Sequence, residues 1–239
     1  HEENRMSLVL VVDDDASIRK TVAAGLRARH FDVEVAPNGT EALRILQELN
    51  PAVVVLDLGL PDIDGIDVVR KVREQSRVPI IVLSADGSES RKVLALELGA
   101  DDYVTKPFSI VELVARVRVS LRHQSLDSLE ETALREIRTG NIRIDLMEHR
   151  CWVDEEQIDL TPKEFNMLVV LARRPGKLVP HRVLLQEVWG PGYQRETQYL
   201  RVYASHLRRK LGDKPGTPDI KADSGVGYRL ILDTSSEDE

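Results

Sequence analysis

A single cysteine, Cys151, stands in the chain, which excludes an internal disulfide and any metal site built on paired cysteines. Its expected place is a core or strand position. Long apolar runs are also missing. No window approaches the roughly 18 uninterrupted apolar residues of a membrane helix, and the run that follows Met6 is broken by Asp13, Asp14 and Asp15. The polar stretch His1 to Arg5 does not look like a secretory signal. The expectation is a cytoplasmic protein with no membrane partner, with the five residues before Met6 a cloning remnant.

What the chain does hold is the balance of a soluble globular protein, 42% apolar and 31% charged. Its 239 residues suit two domains of ordinary size. The net charge of −7 is divided unevenly: residues 7–122 carry 15 basic and 18 acidic side chains, residues 139–232 carry 15 basic and 12 acidic. An acidic half and a basic half point to different partners. Within the basic half, residues 181–212 hold six Lys or Arg against two Glu, an excess suited to phosphate contact.

Over residues 7–122, short apolar runs alternate with amphipathic segments. Leu8 to Val12, Val33 to Ala36, Ala52 to Leu56, Ile80 to Leu83 and Tyr103 to Val104 read as buried parallel strands. Ser17 to Arg29, Gly39 to Leu49, Gly65 to Glu74, Ser88 to Leu98 and Ser109 to Arg122 read as helices. Successive βα units of this kind predict an α/β doubly wound sheet, with ligands bound outside the carboxyl ends of the strands where the strand order reverses.

The residues expected at those ends are Asp13-Asp14, Asp57, Ser84-Ala85 and Thr105-Lys106-Pro107. Clustered carboxylates repel one another unless a cation lies among them, and an all-oxygen set with room for water and phosphate suits Mg²⁺. A carboxylate beside such a cation, with a lysine opposite, is suited to accept a phosphoryl group. Taken singly, an Asp pair or a Lys-Pro step is as well explained as a turn. Asp15 is expected to cap or begin the first helix.

The stretches VVDDD, VVLDLGLPDIDG, VLSA and GADDYVTKPF, in that order, resemble a response-regulator receiver domain. The resemblance implies Asp57 as phosphoacceptor and Asp13, Asp14, Asp57 and the Gly59 carbonyl as Mg²⁺ ligands. It also implies Ser84 and Lys106 as holders of the phosphoryl oxygens, and Tyr103 as an aromatic switch that turns inward when Ser84 moves. A haloacid-dehalogenase-type phosphohydrolase, which also forms an aspartyl phosphate, needs a second acid two residues after the nucleophile, and that position is Gly59.

Residues 123–138, HQSLDSLEETALREIR, are polar with isolated leucines and read as a linker, partly helical. From Thr139 the pattern changes to short alternating strands, IRIDL, HRCWVD and EQIDL. Thr161-Pro162-Lys163-Glu164 is a helix start with a capping residue, Pro at the first position and Glu three residues on. That helix should run to about Arg173 and a second from Pro180 to Trp189. A third, from Glu196 to Leu211, should bury Leu200, Ala204, Leu207 and Leu211 and turn Gln198, Arg201, Ser205, Arg208 and Arg209 outward. DIKADSGVGYRLIL then reads as a β-hairpin. No nucleophile–base pair, metal-ligand cluster or Gly-rich phosphate loop stands in 139–232, so no enzyme is expected there.

LTPKEFNMLVVLARRPGKLV, LRVYASHLRRKL and GVGYRL resemble the α+β winged helix-turn-helix output domain of the OmpR/PhoB class. LDLGLPD and ETQYLRVYASHLRRKL lie nearest its potassium-responsive regulators. Receiver (7–122), linker (123–138) and DNA-binding domain (139–232) would together make a transcription regulator, phosphorylated by a sensor histidine kinase. It would bind double-stranded promoter DNA through Gln198, Arg201, Ser205, Arg208, Arg209 and the wing residue Arg229, with RNA polymerase a further partner. Ser224 stands where many relatives carry a wing arginine. Phosphorylation would favour a homodimer through Lys92 with Glu112, Asp102 with Arg116, and Glu97 with Arg118. A receiver acting only through protein partners, without specific DNA binding, is the alternative, and a salt-dependent gel shift separates the two.

Overall fold

Alternation of side chains across a strand sends successive residues to opposite faces, and a strand apolar on both faces must be covered twice. The chain meets this demand in its first half. A computed structural model describes residues 7–122 and 135–232, which fall into two compact units dividing after Arg122. The first unit holds β1 (Leu8–Val12), β2 (Asp32–Ala36), β3 (Val53–Asp57), β4 (Ile80–Ser84) and β5 (Asp102–Thr105). They pair in parallel in the order β2-β1-β3-β4-β5. Between them run α1 (Ala16–Arg27), α2 (Gly39–Leu49), α3 (Gly65–Gln75), α4 (Glu89–Glu97) and, after β5, α5 (Ile110–Arg122).

Two apolar cores flank this sheet. Val9, Val11, Val53, Val55, Ile81 and Leu83 pack against Leu26 of α1 and Leu113 and Val117 of α5. Leu10, Val12, Val54, Leu56, Ile80 and Val82 pack against Ile45 of α2, Val69 of α3 and Ala95 of α4. Because β2 and β3 lie on opposite sides of β1, the order reverses there and the carboxyl ends of β1 and β3 are neighbours. Asp15, Asn38, Asp64 and Ser88 cap the first four helices, each accepting hydrogen bonds from first-turn amides. The strands reach past their apolar runs to include Asp57, Ser84 and Thr105, since the backbone ladder continues whatever the side chain.

The second unit opens with an antiparallel meander, β6 (Glu136–Thr139), β7 (Ile142–Asp145), β8 (Arg150–Val153) and β9 (Glu156–Ile158). Residues 136–138, expected as linker, are thus strand: Ile137 is buried and pairs with Ile144, an alternation of one apolar residue between charged ones that the polar segment hides. Residues 123–134, the rest of the expected linker, lie outside the described residues. Cys151 is buried on β8 as expected.

Next come α6 (Pro162–Ala172), β10 (Val179–Pro180), α7 (His181–Val188), α8 (Thr197–Leu211), β11 (Asp219–Asp223) and β12 (Gly227–Ile231), the three strands forming a small sheet ordered β10-β12-β11. The Thr161–Glu164 capping box is present. Trp189, at the end of α7, is fully buried and packs edge-on against Tyr199 and Tyr203, at 5.6 and 5.0 Å between centroids, which fixes α8. The β11–β12 hairpin turns through Gly225, whose φ of 74° favours glycine.

Candidate functional site

Adjacent β1 and β3 deliver Asp13, Asp14 and Asp57 to one place, where each offers a carboxylate oxygen within 4.8 Å of the others. Asp13 and Asp57 are buried and Asp14 is exposed. Asp13 is held on both oxygens: Oδ1 accepts the Asp15 N–H at 2.9 Å and Oδ2 accepts from Lys106 Nζ at 2.8 Å. The same Nζ lies 3.0 Å from Asp57 Oδ1.

Burial pushes the Asp57 carboxyl above its ordinary value; Lys106 pulls it back, nearby Asp13 raises it further and the Gly59 N–H lowers it. For Lys106, burial disfavours the ammonium, but its bonds to Asp13 and Asp57 prevail and hold its pKa above the ordinary value. The three carboxylates form an all-oxygen set open on the Asp14 side, a donor chemistry that fits a hard divalent cation such as Mg²⁺. Directly after β3 the chain folds back so closely that a Cβ at Gly65 would lie 2.4 Å from the Leu58 Cα, which keeps the loop beside Asp57 tight.

Ser84 ends β4 and is buried, its Oγ accepting the Asp86 N–H at 3.1 Å. Tyr103 is expected to turn inward on activation. Its ring is already buried, and its hydroxyl donates to the Asp86 carbonyl oxygen at 2.5 Å and meets Ser84. The two residues are therefore joined through one turn, Ala85–Asp86.

The residues expected at a dimer face include three that bond to one another within the chain. Arg116 Nη1 lies 2.9 Å from both oxygens of Asp102 and Nη2 2.7 Å from Glu112 Oε1, all within one chain. The reason is local: Glu112 and Arg116 are one helical turn apart on α5, and β5 brings Asp102 beneath them. Glu97, Glu112 and Arg118 are exposed, and Lys92 is half-buried.

On α8 the expected core residues Leu200, Ala204, Leu207 and Leu211 are buried, joined by Tyr199, Val202, Tyr203 and His206. Arg201, Ser205, Arg208 and Arg209 are exposed as expected. Gln198 is half-buried and donates to Glu196. Two expected DNA contacts are engaged elsewhere. Arg208 Nε and Nη2 donate to the Ile220 carbonyl oxygen at 2.7 and 2.5 Å, and Arg229 Nη2 lies 2.6 Å from Asp223 Oδ2 across the hairpin. Both arginines bend back because a bare strand carbonyl or carboxylate lies within their reach.

Sequence reasoning missed the buried cluster under α8. Glu164, read only as a capping residue, accepts from Lys210 Nζ at 2.6 Å and lies 3.4 Å from His206 Nδ1. Burial raises its pKa, but the His206, Lys210 and Thr161 bonds together outweigh this and hold it at about 2. Lys210 is 46 residues from Glu164 in sequence, so the only local signal was the capping box.

The chain matches two family descriptions, "Response regulator receiver domain" over residues 9–118 and "Transcriptional regulatory protein, C terminal" over residues 155–230. It is 47% identical to the transcriptional regulatory protein KdpE of Mycobacterium tuberculosis H37Rv, across 94% of this chain and 99% of the relative. It is 41% identical to the KDP operon transcriptional regulatory protein KdpE of Escherichia coli K12, across 95% and 100%. To the DNA-binding response regulator MtrA of Mycobacterium bovis it is 42% identical, across 92% and 95%. Among solved structures, a mutant of RitR superposes with a TM-score of 0.72 at 25% identity, covering 94% of this chain and 98% of that one. DrrB of Thermotoga maritima, an OmpR/PhoB homologue, superposes at 0.51 with 31% identity, covering 95% and 99%.

Proposed function

The chain belongs to the response regulators that join a receiver domain to an OmpR/PhoB-type DNA-binding domain, and from that premise we propose that Asp57 accepts a phosphoryl group from a sensor histidine kinase to control binding of α8 to promoter DNA. Such regulators act on transcription and are not enzymes. The observation that carries the reading is the contact of Lys106 Nζ with both Asp13 and Asp57 amid three converging carboxylates.

In the transfer, an Asp57 oxygen attacks phosphorus, a P–O bond forms and the donor's P–N bond breaks, leaving the kinase histidine free. Lys106 and Ser84 hold the phosphoryl oxygens, and Asp13, Asp14, Asp57 and the Gly59 carbonyl would hold Mg²⁺. Bound there, the ion supplies neutralisation of the carboxylate and phosphoryl charge. Lys106 is already an ammonium between two carboxylates, so it can turn to an incoming phosphoryl oxygen without a change of protonation.

Once Ser84 engages the phosphoryl group, its bond to the Asp86 turn is exchanged and Tyr103, held by the same turn, is repacked. This biases the α4–β5–α5 face toward a homodimer, with Glu97 and Arg118 as partners across it. The Asp102–Arg116–Glu112 network serves that face from within each protomer. Two tethered DNA-binding domains then meet a repeated site at raised effective concentration. The receiver extends to Arg122 and the DNA-binding domain from Glu136 to Leu232, in a protein of the cytoplasm that recruits RNA polymerase. Among the described residues, no helix is long and apolar enough to cross a membrane. The test is footprinting on genomic DNA with and without acetyl phosphate: protection of repeated sites that strengthens with the phosphodonor is expected, and indifference to the donor would sink the reading.

A further inference from the structure

Arg208 stands on the exposed side of α8, yet its guanidinium is committed to the hairpin. Nε and Nη2 converge on the Ile220 carbonyl oxygen, at 2.7 and 2.5 Å. Ile220 is a buried residue of β11 that pairs with Leu230 of β12. A two-pronged bond from an ionised donor is among the stronger hydrogen bonds available to a protein. On β12, burial pushes the Tyr228 hydroxyl above its ordinary pKa, while the charges of Arg208 and Arg201 pull it back.

The hairpin is stiff in itself, since Arg229 pairs with Asp223 across its two strands. Its junction with α8 is more open. A cleft of about 420 Å³, lined by Arg208, Leu211, Gly212, Asp213 and Pro218, lies between the end of α8 and the start of β11. The connection 212–218 includes glycines at positive φ, Gly212 and Gly216. β12 is tied to β10 through Val179–Tyr228 and Pro180–Gly227, and the His181 N–H donates to the Val226 carbonyl oxygen, so the freedom that the Arg208 bond removes is that of β11, the outer strand, against the end of α8. On the helix, Arg201, Ser205 and Arg209 are exposed and four residues apart, hence on one row along the face.

We propose that Arg208 is a positioning residue that braces the wing hairpin against the recognition helix, leaving the row Arg201, Ser205 and Arg209 to meet the DNA. The separation between α8 and the turn Ser224–Val226 is thereby fixed before DNA arrives. This rests on the DNA-binding reading above. It differs from a phosphate or base contact in what it controls: the register between two contacts, not the strength of either.

The experiment uses the full chain, its Arg208→Ala and Arg208→Lys variants, and a randomised double-stranded DNA library as probe. Amide hydrogen exchange of β11 and β12 is followed without DNA, selection and hydroxyl-radical footprinting with it. Arg208→Ala should speed exchange in the hairpin about tenfold, the worth of one charged hydrogen bond. It should keep the base preference of the segment covered by α8 and lose protection of the flanking segment under the wing. Arg208→Lys, which keeps the charge but not the fork, should behave like Arg208→Ala. Unchanged hairpin exchange, loss of preference at one base pair, or full rescue by lysine would each overturn the brace. If the wild-type chain enriches no sequence at all, the DNA reading fails, and the exchange measurement still decides the brace.

Discussion

Lys106 Nζ lies 3.0 Å from Asp57 Oδ1, although the two residues end strands that are not neighbours, with β4 between them. The lysine therefore reaches across the strand ends to the buried carboxylate. Asp57→Asn should abolish labelling by acetyl phosphate, because an amide cannot form the acyl phosphate. Lys106→Ala should leave a carboxylate that labels at least tenfold more slowly, on the order of one lost charged hydrogen bond. Chelating Mg²⁺ should suppress labelling of the wild-type chain. Wild-type rates for Asp57→Asn in a phosphate-transfer assay would show that another residue is the acceptor.

Arg116 separates two roles that the sequence alone merged. Its bonds to the buried Asp102 make it a structural partner within the chain. Arg116→Ala should therefore cost about 1–3 kcal/mol of receiver stability, since it takes two charged hydrogen bonds from a buried carboxylate. Arg118 is exposed, so Arg118→Ala should cost less than about 0.5 kcal/mol while weakening phosphorylation-driven dimerisation. Urea unfolding and sedimentation, run on both variants, check the two halves. Unaltered dimerisation of Arg118→Ala would point to a different face.

The parts legible in the sequence were those in which residue type and period agree. Asp13, Asp57, Ser84 and Lys106 stand at ends of short apolar runs, so the topology of a doubly wound sheet brings them together without knowledge of any side-chain angle. The outward face of α8 followed from helical period in the same way. What was not legible depends on where a long side chain goes after leaving its backbone. Period turns Arg208 outward but says nothing of the Ile220 carbonyl that it bends to meet. Asp102 and Arg116 were recognised as a pair, but not as a pair within one chain. β6 was lost because its one buried apolar residue, Ile137, is flanked by charges.

The Glu164 cluster predicts an acid limb of stability. The folded pKa is about 2 against an ordinary 4.5, so the stabilising contribution is fully present above about pH 4.5 and is lost as pH falls toward 2. The linkage amounts to about 3 kcal/mol as an order of magnitude. Trp152 and Trp189 both lie in the second unit, so tryptophan fluorescence reports on this domain alone. Urea midpoints from pH 6 to pH 3 should fall for the wild-type chain and fall less for Glu164→Gln. Parallel slopes for the two would remove Glu164 from the acid response.

The row Arg201, Ser205 and Arg209 allows a division of labour to be tested. Residues eight apart on an α-helix are separated by about 12 Å along its axis, so Arg201 and Arg209 can meet the same groove at different depths. Arg201 lies in the first half of α8 and Arg209 in the last turn, beside Lys210. A recognition helix enters the major groove with its N-terminal residues toward base edges, which assigns Arg201 to the bases and Arg209 to the phosphates. Arg201→Ala should then cost about 1–3 kcal/mol at the preferred site and relax the preference at particular base pairs. Arg209→Ala should weaken binding to preferred and scrambled DNA alike and lower the salt dependence by about one unit of slope. Titration of each variant against both DNAs at several salt concentrations measures all of this. Equal losses on both DNAs for the two variants would mean that α8 only grips the backbone. Specificity would then have to come from the wing or from DNA shape.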